Sequence, residues 1–208
     1  MLIEIDYPNP TAMELDAAKT LLVIVDMENG SAHPEGERYI GEPVARIIPK
    51  IVELRRSVRE AGGRVLHTQS VRSPQALEFT VFNNVVRKLE GTWASKFIDE
   101  LKPAPDEPVI VKYTHDCFCH TEMESVIERL SMRPGEGRVI VTGIAARGCV
   151  QAAVMGFSHR DYYVYVPMDC TASRDEKETL QAFSLYTGFG YRYNVTMTQS
   201  DLITLRPT

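Results

Sequence analysis

The chain has 208 residues, 44% hydrophobic and 25% charged, with a formal net charge of −5. That balance suits one globular domain that buries a core without disulfides or a structural metal. It excludes a nucleic-acid binder, which would carry a basic stripe, and a membrane span, because apolar runs such as "TLLVIV" are far too short.

The opening "MLIEIDYPNP" has neither a basic n-region nor an apolar h-region. The expected compartment is therefore the cytosol, where Cys117, Cys119, Cys149 and Cys170 stay reduced. "TLLVIVD" (20–26) reads as a buried strand, and 43–63 has helical apolar spacing stopped by Gly62-Gly63. "RVLHTQ" (64–69) is a second strand, followed by an irregular stretch over 70–89. "TWASKFIDELKP" (92–103) reads as a short helix ended by Pro103, and "PVIVKY" (108–113) as the third strand. Thr121 and Glu124 stand in capping-box spacing and open a helix over 121–133. Then come strand 137–144, helix 149–161, strand 162–169, helix 175–190 and strand 194–198. "SDLITL" closes the chain as a capped turn or short helix.

Strands apolar on both faces and separated by helices imply a parallel sheet covered on both sides. The expectation is a single α/β domain over 1–208, a three-layer αβα sandwich around a six-stranded, mostly parallel sheet. Ligands of such sheets sit beyond the carboxyl ends of the strands. Attention therefore falls on Asp26, on Lys112 and on the loop leading to Cys149.

Cys149 follows a buried strand and Gly148, where a helix should begin. A helix N-terminus lowers a thiol pKa, and nearby peptide N–H groups can hold an oxyanion. Lys112 and Asp26 end apolar strands, where an unpaired charge is costly. Taken singly, each of the three has a structural explanation. Together they suggest a nucleophile (Cys149), a general acid/base (Asp26) and electrostatic support (Lys112).

"VIVDMEN", "VIVKYTHDCFCHTEM" and "VTGIAARGCV", in that order, resemble the motifs of the isochorismatase-like cysteine hydrolases. These include nicotinamidases, N-carbamoylsarcosine amidase and ureido-acid amidohydrolases. The resemblance runs from about residue 19 to the C-terminus and takes in "GTWASKFIDELKP" (91–103) and "DC" at 169–170. It implies an Asp26–Lys112–Cys149 triad and a cis Ile144–Ala145 bond, with the N–H groups of Ala145 and Cys149 as oxyanion donors. It also implies amide hydrolysis through a thioester. Asp26 would first take the thiol proton, then protonate the departing amine, and finally activate the water. A homo-oligomer, dimer or tetramer, is common in the family.

Against the family's Asp-x-Gln-Asn-Asp-Phe, this chain reads "DMENGS". Glu28 either faces the substrate or turns outward. Ser70 and Arg72 stand where nicotinamidases carry the Asp-x-His element of a metal site, so no metal and no cofactor are expected. Arg72 is a candidate clamp for a substrate carboxylate, or else a solvated loop arginine, and Arg147 admits the same two readings. Phe118 matches an aromatic the family keeps against substrate. His115, Cys117, Cys119 and His120 lack the paired spacing of a zinc site and read as loop lining. His33, His67 and His159 read as structural or exposed, Cys170 as buried, and Trp93 and Phe79 as cover for the pocket. The leading reading is a metal-independent cysteine amidohydrolase for a small carbamoyl, ureido or carboxamide compound. The alternatives are a vinyl-ether hydrolase, against which the retained Cys149 argues, and a non-catalytic binding or scaffold member.

Overall fold

A computed structural model describes residues 7–73, 75, 77, 81, 87–188 and 193–207. Phe79 lies outside them. The central sheet is built from β2 (Thr20–Val25), β3 (Arg64–Ser70), β4 (Val109–Lys112), β5 (Arg138–Ile144), β6 (Tyr163–Pro167) and β8 (Val195–Thr198). Their order is β4-β3-β2-β5-β6-β8, and every pairing is parallel. A two-residue strand β7 (Thr171–Ala172) pairs with the end of β5, so the sheet has seven strands rather than the expected six. Among the described residues, no helix is long and apolar enough to cross a membrane.

Every residue of β2 is buried, as a central strand covered on both faces requires. Alternation divides them: Leu21, Val23 and Val25 enter one core and Leu22 and Ile24 the other. After a single turn α1 (Asn29–Ala32), the second core is closed by α2 (Glu42–Glu60), which presents Val44, Ile47, Ile51, Leu54 and Val58 at helical spacing. The first is closed by α3 (Met123–Arg129), α4 (Gln151–Ser158) and α5 (Glu176–Tyr186). Each fully buried leucine or isoleucine contributes roughly 1.5–3 kcal/mol.

Three local expectations are revised. The span 92–103 is not a helix but two single 3-10 turns, Trp93–Ser95 and Asp99–Leu101. Its backbone is used elsewhere: Asn29 N–H donates to the Lys96 carbonyl at 2.7 Å and Ile98 N–H to the Met27 carbonyl at 3.0 Å. The chain's end takes the turn of the two alternatives and then continues as a strand. After a 3-10 turn at Ser200–Leu202, β9 (Ile203–Arg206) pairs in parallel with β1 (Met13–Asp16) as a separate two-stranded sheet. The helix expected over 121–133 shortens to Met123–Arg129, with Ser131 in a left-handed conformation just beyond it.

Away from the strand ends, Glu107 gathers a buried ionic cluster. Arg55 reaches both of its oxygens at 3.0 and 2.5 Å, Arg59 Nη1 lies at 2.8 Å and His67 Nε2 at 2.9 Å. Burial alone would raise the Glu107 carboxyl, but the hydrogen bonds from His67 and Arg55 hold it well below the ordinary carboxylate range. A depressed carboxylate stabilises the fold above its unfolded pKa near 4.5, and that contribution is lost as pH falls below it. Glu107→Ala should cost about 3–5 kcal/mol in urea unfolding at pH 7. It should also flatten the stability loss of the parent on acidification. A variant with unchanged stability and an unchanged acid limb contradicts this role.

Candidate active site

The strand order reverses between β2 and β5, and open parallel sheets bind ligands outside the carboxyl ends at such a point. A cavity of about 460 Å³ opens there, with Asp26, Ser70, Ile144, Ala145 and Cys149 in its lining.

Asp26 leaves β2 with φ of 54°, a left-handed conformation that aspartate tolerates. Its N–H donates to the Thr68 carbonyl at 3.2 Å. Its Oδ1 accepts from the Thr68 hydroxyl at 2.5 Å and its Oδ2 from Lys112 Nζ at 2.7 Å. Lys112 ends the edge strand β4 abreast of Ser70, and its ammonium also donates to the Thr114 carbonyl at 3.1 Å. Both charged side chains are buried.

The chain leaves β5 through a cis Ile144–Ala145 bond and a tight turn, Ala146–Val150, that kinks at Gly148 before α4. The Ala145 carbonyl accepts from Gly148 N–H at 2.8 Å and Val150 N–H at 3.2 Å. Arg147 N–H donates to the Ser173 hydroxyl at 3.1 Å, and the Tyr186 hydroxyl donates to the Ala146 carbonyl. The elbow is thus braced by the residue after β7 and by α5. Gly143 sets it close to β2: a Cβ there would fall 2.1 Å from the Val25 carbonyl oxygen. Cys149 is 9% exposed, and its Sγ lies 3.2 Å from His115 Nδ1.

The sequence model of the isochorismatase domain matches residues 20–200. The chain belongs to the isochorismatase family. It is 29% identical over 187 residues to the ureidoacrylate amidohydrolase RutB of Methylorubrum extorquens, covering 79% of this chain and 73% of that protein. A RutB of Pseudomonas savastanoi pv. phaseolicola is 26% identical, covering 89% and 84%. The fold is shared with N-carbamoylsarcosine amidase from Thermoplasma acidophilum, at a TM-score of 0.73, 22% identity and coverage of 88% and 97%. Family membership and these relatives support a hydrolase acting on carbon–nitrogen bonds.

The structure brings Asp26, Cys149, Ala145 and Arg72 to the cavity, with Lys112 buried behind Asp26 and paired to it. It directs three other candidates elsewhere. Glu28 is fully buried beside the site and turns to Lys88, whose Nζ lies 2.7 Å from Oε2, while Ser70 N–H donates to Oε1 at 2.5 Å. Phe118 packs on α4, edge-on to Phe157 at 5.0 Å and under the Arg160 guanidinium at 3.8 Å. Arg147 is exposed, held by its backbone. Trp93 is 47% exposed and stands edge-on to His33 at 5.2 Å rather than covering the cavity.

Arg72 Nη1 donates to the Ser70 hydroxyl at 2.9 Å. A guanidinium has no lone pair to give, so Ser70 and Arg72 do not fit the place of the family's metal ligands. In the loop after Lys112, Cys117 is buried in the core, Cys119 is half-buried and His120 is exposed, so these three do not converge. Only His115 reaches the cavity, a placement the sequence reading missed along with Thr68 and Lys88.

The expected depression of the Cys149 pKa is reversed. Burial first, and then the Asp26 charge, push the thiol up to about 12, with Lys112 opposing. Burial would raise Asp26 as well, yet Lys112 and then Lys88 outweigh it and hold Asp26 below its ordinary value. The resting pair is therefore carboxylate and thiol, and the acid is placed to take the sulfur's proton. Asp26→Asn removes the group that takes the thiol's proton as the sulfur attacks. Alkylation of Cys149 by iodoacetamide at pH 8, followed by peptide mass spectrometry, should therefore run at least about tenfold slower in the folded variant. Hydrolytic activity should be absent. Unchanged or faster alkylation in Asp26→Asn contradicts the assignment.

Proposed function

We propose that the protein hydrolyses a carbon–nitrogen bond of a small, carboxylate-bearing carbamoyl, ureido or carboxamide compound through a thioester at Cys149. The observation that carries this reading is that the Asp26 carboxylate, held by the buried Lys112 ammonium, and the Cys149 thiol line one cavity.

In this reading Asp26 accepts the thiol proton as Cys149 attacks the carbonyl carbon. The developing oxyanion sits on the backbone N–H groups of Ala145 and Cys149. Asp26 gives the proton to the departing nitrogen as the C–N bond breaks, and water then cleaves the thioester. Lys112 keeps Asp26 ionised between turnovers.

The carboxylate requirement comes from the cavity's charge. Arg38, Arg72, Arg87, Lys88 and Arg174 line it, against Asp26, Glu37 and Glu178. Five cations to three anions favour an acidic ligand, and a guanidinium offers a carboxylate two parallel donors. The names of the relatives, a ureidoacrylate amidohydrolase and a carbamoylsarcosine amidase, describe compounds of that kind.

Ammonia release from ureidoacrylate, N-carbamoylsarcosine and their neutral carboxamide analogues tests the proposal. Turnover of at least one acid, with the neutral analogues slower, is the expected outcome. Cys149→Ala should abolish turnover with an unchanged circular dichroism spectrum. Arg72→Lys should raise KM for the acid roughly tenfold with kcat little changed, because a lysine cannot reproduce the bidentate geometry. Full activity in Cys149→Ala sinks the thioester, and equal turnover of acids and neutral analogues sinks the carboxylate requirement.

A further inference from the structure

We propose that His115 is a second proton-handling catalytic residue, which deprotonates the water that cleaves the thioester and returns that proton to the Cys149 sulfur. The inference rests on the covalent reading above.

Two groups that move protons approach the same sulfur from different surroundings. Asp26 also lines the cavity but is buried, with Oδ1 engaged by Thr68 and Oδ2 by Lys112. His115 is exposed, lines the cavity and holds Nδ1 3.2 Å from Sγ. Water entering the cavity therefore meets the imidazole, and the imidazole already touches the atom that must leave. Imidazole is also the side chain best suited to give and take a proton near neutral pH.

The loop holds the ring in place from both sides. Lys112 Nζ donates to the Thr114 carbonyl at 3.1 Å, so the ammonium that pairs with Asp26 also pins the residue before His115. On the other side, the Thr114 hydroxyl donates to the Asp116 carbonyl at 3.1 Å, and an Asp116 carboxylate oxygen accepts from Phe118 N–H at 2.9 Å. The elbow leaves room for the ring. A Cβ at Gly148 would already stand 3.8 Å from His115 Nδ1, so a longer side chain there would crowd the imidazole.

The step balances without a redox change. The water oxygen bonds to the acyl carbon while one of its protons passes to neutral His115 at Nδ1. The C–S bond then breaks, and the imidazolium gives that proton to the departing sulfur. The products are the free acid and the Cys149 thiol. Asp26 serves the first half of the reaction and His115 the second.

The probe is p-nitrophenyl acetate, whose phenolate leaves without needing a proton and so separates acylation from deacylation. Acetyl-Cys149 is followed by intact mass and peptide mapping. In His115→Gln, acetylation of Cys149 should stay within about threefold of the parent. The acetyl group should persist about a hundredfold longer, the scale expected for loss of a positioned general base. In His115→Ala the same persistence should appear, and added imidazole should shorten it, a rescue that a merely structural residue does not show. Because His115 is exposed, neither variant should lose the fold. An adduct that clears alike in parent and variants overturns the role of His115 and leaves the thioester standing. A longer lifetime that imidazole does not shorten also overturns it. If the parent forms no adduct on Cys149 while Cys119 is acetylated, the covalent reading fails and this inference with it.

Discussion

Opposite charges on Asp26 and Lys112 meet at 2.7 Å inside the protein, where either one alone would cost several kcal/mol. The pair spans three neighbouring strand ends: Lys112 on β4, Thr68 on β3 and Asp26 just past β2. Strand alternation makes this possible. Ile110 and Lys112 face inward on β4 while Val111 is exposed, so a slip of one residue would turn the ammonium out to solvent. The pair also sets the state of the sulfur. An ionised Asp26 beside a buried thiol keeps that thiol protonated. In the proposed reaction the nucleophile is therefore made as it attacks rather than stored as a resting thiolate.

A second buried pair leans on the first. Glu28 lies two residues past Asp26, and its carboxyl is pushed up to about 7 by burial and by the Asp26 charge, with Lys88 opposing both. Lys88 in turn helps to hold Asp26 low. The three charges form one electrostatic unit in which a change at Glu28 is felt at the acid beside the sulfur. Lys88 also donates its own N–H to Glu37 at 2.8 Å, and the neighbouring backbone runs back to residues 27–29 through Lys96 and Ile98. Where the family pattern has a neutral glutamine, this chain has an acid, with a lysine from a distant part of the chain to meet its charge.

How much of this was legible in the sequence depends on whether a residue's surroundings are local. Six consecutive apolar residues at 20–25 can be satisfied only by a strand covered on both faces, and β2 is such a strand. Charges ending apolar runs mark Asp26 and Lys112 in the same way, and Gly148 marks the elbow at Cys149. Other features needed a partner that the sequence does not announce. "MELD" and "ITLR" become strands only by pairing with each other across almost the whole chain. The run 92–103 reads as a short helix ended by Pro103, but Phe97 forms an antiparallel bridge with Glu28, which takes its backbone out of helical use. Glu28 could not be placed because Lys88 lies 60 positions away at no strand end. His115 was hidden in a cluster whose composition suggested a metal question. The loop's hydrogen bonds, rather than its composition, send one imidazole to the sulfur and Cys117 into the core.

The cavity's charge runs against that of the chain. A net charge of −5 would repel an acidic compound at long range, while five cations against three carboxylates attract it at the crevice. At physiological ionic strength charges are screened beyond about 8 Å, so the global repulsion fades within a short distance of the surface. The local field then dominates inside a partly enclosed site, where low-dielectric walls focus it. Such a field is useful only if the ligand's anionic end lies away from Asp26, which must stay ionised and close to the sulfur. A compound with a carboxylate at one end and a carbamoyl or ureido group at the other satisfies both demands. In the proposed function its charge would be held by arginines at the wall, and its neutral carbonyl would be presented to Cys149. Binding energy gathered at the remote carboxylate is then available to position the reacting carbon. On these grounds the arginines of the cavity wall and the buried pair beneath Cys149 are two halves of one requirement.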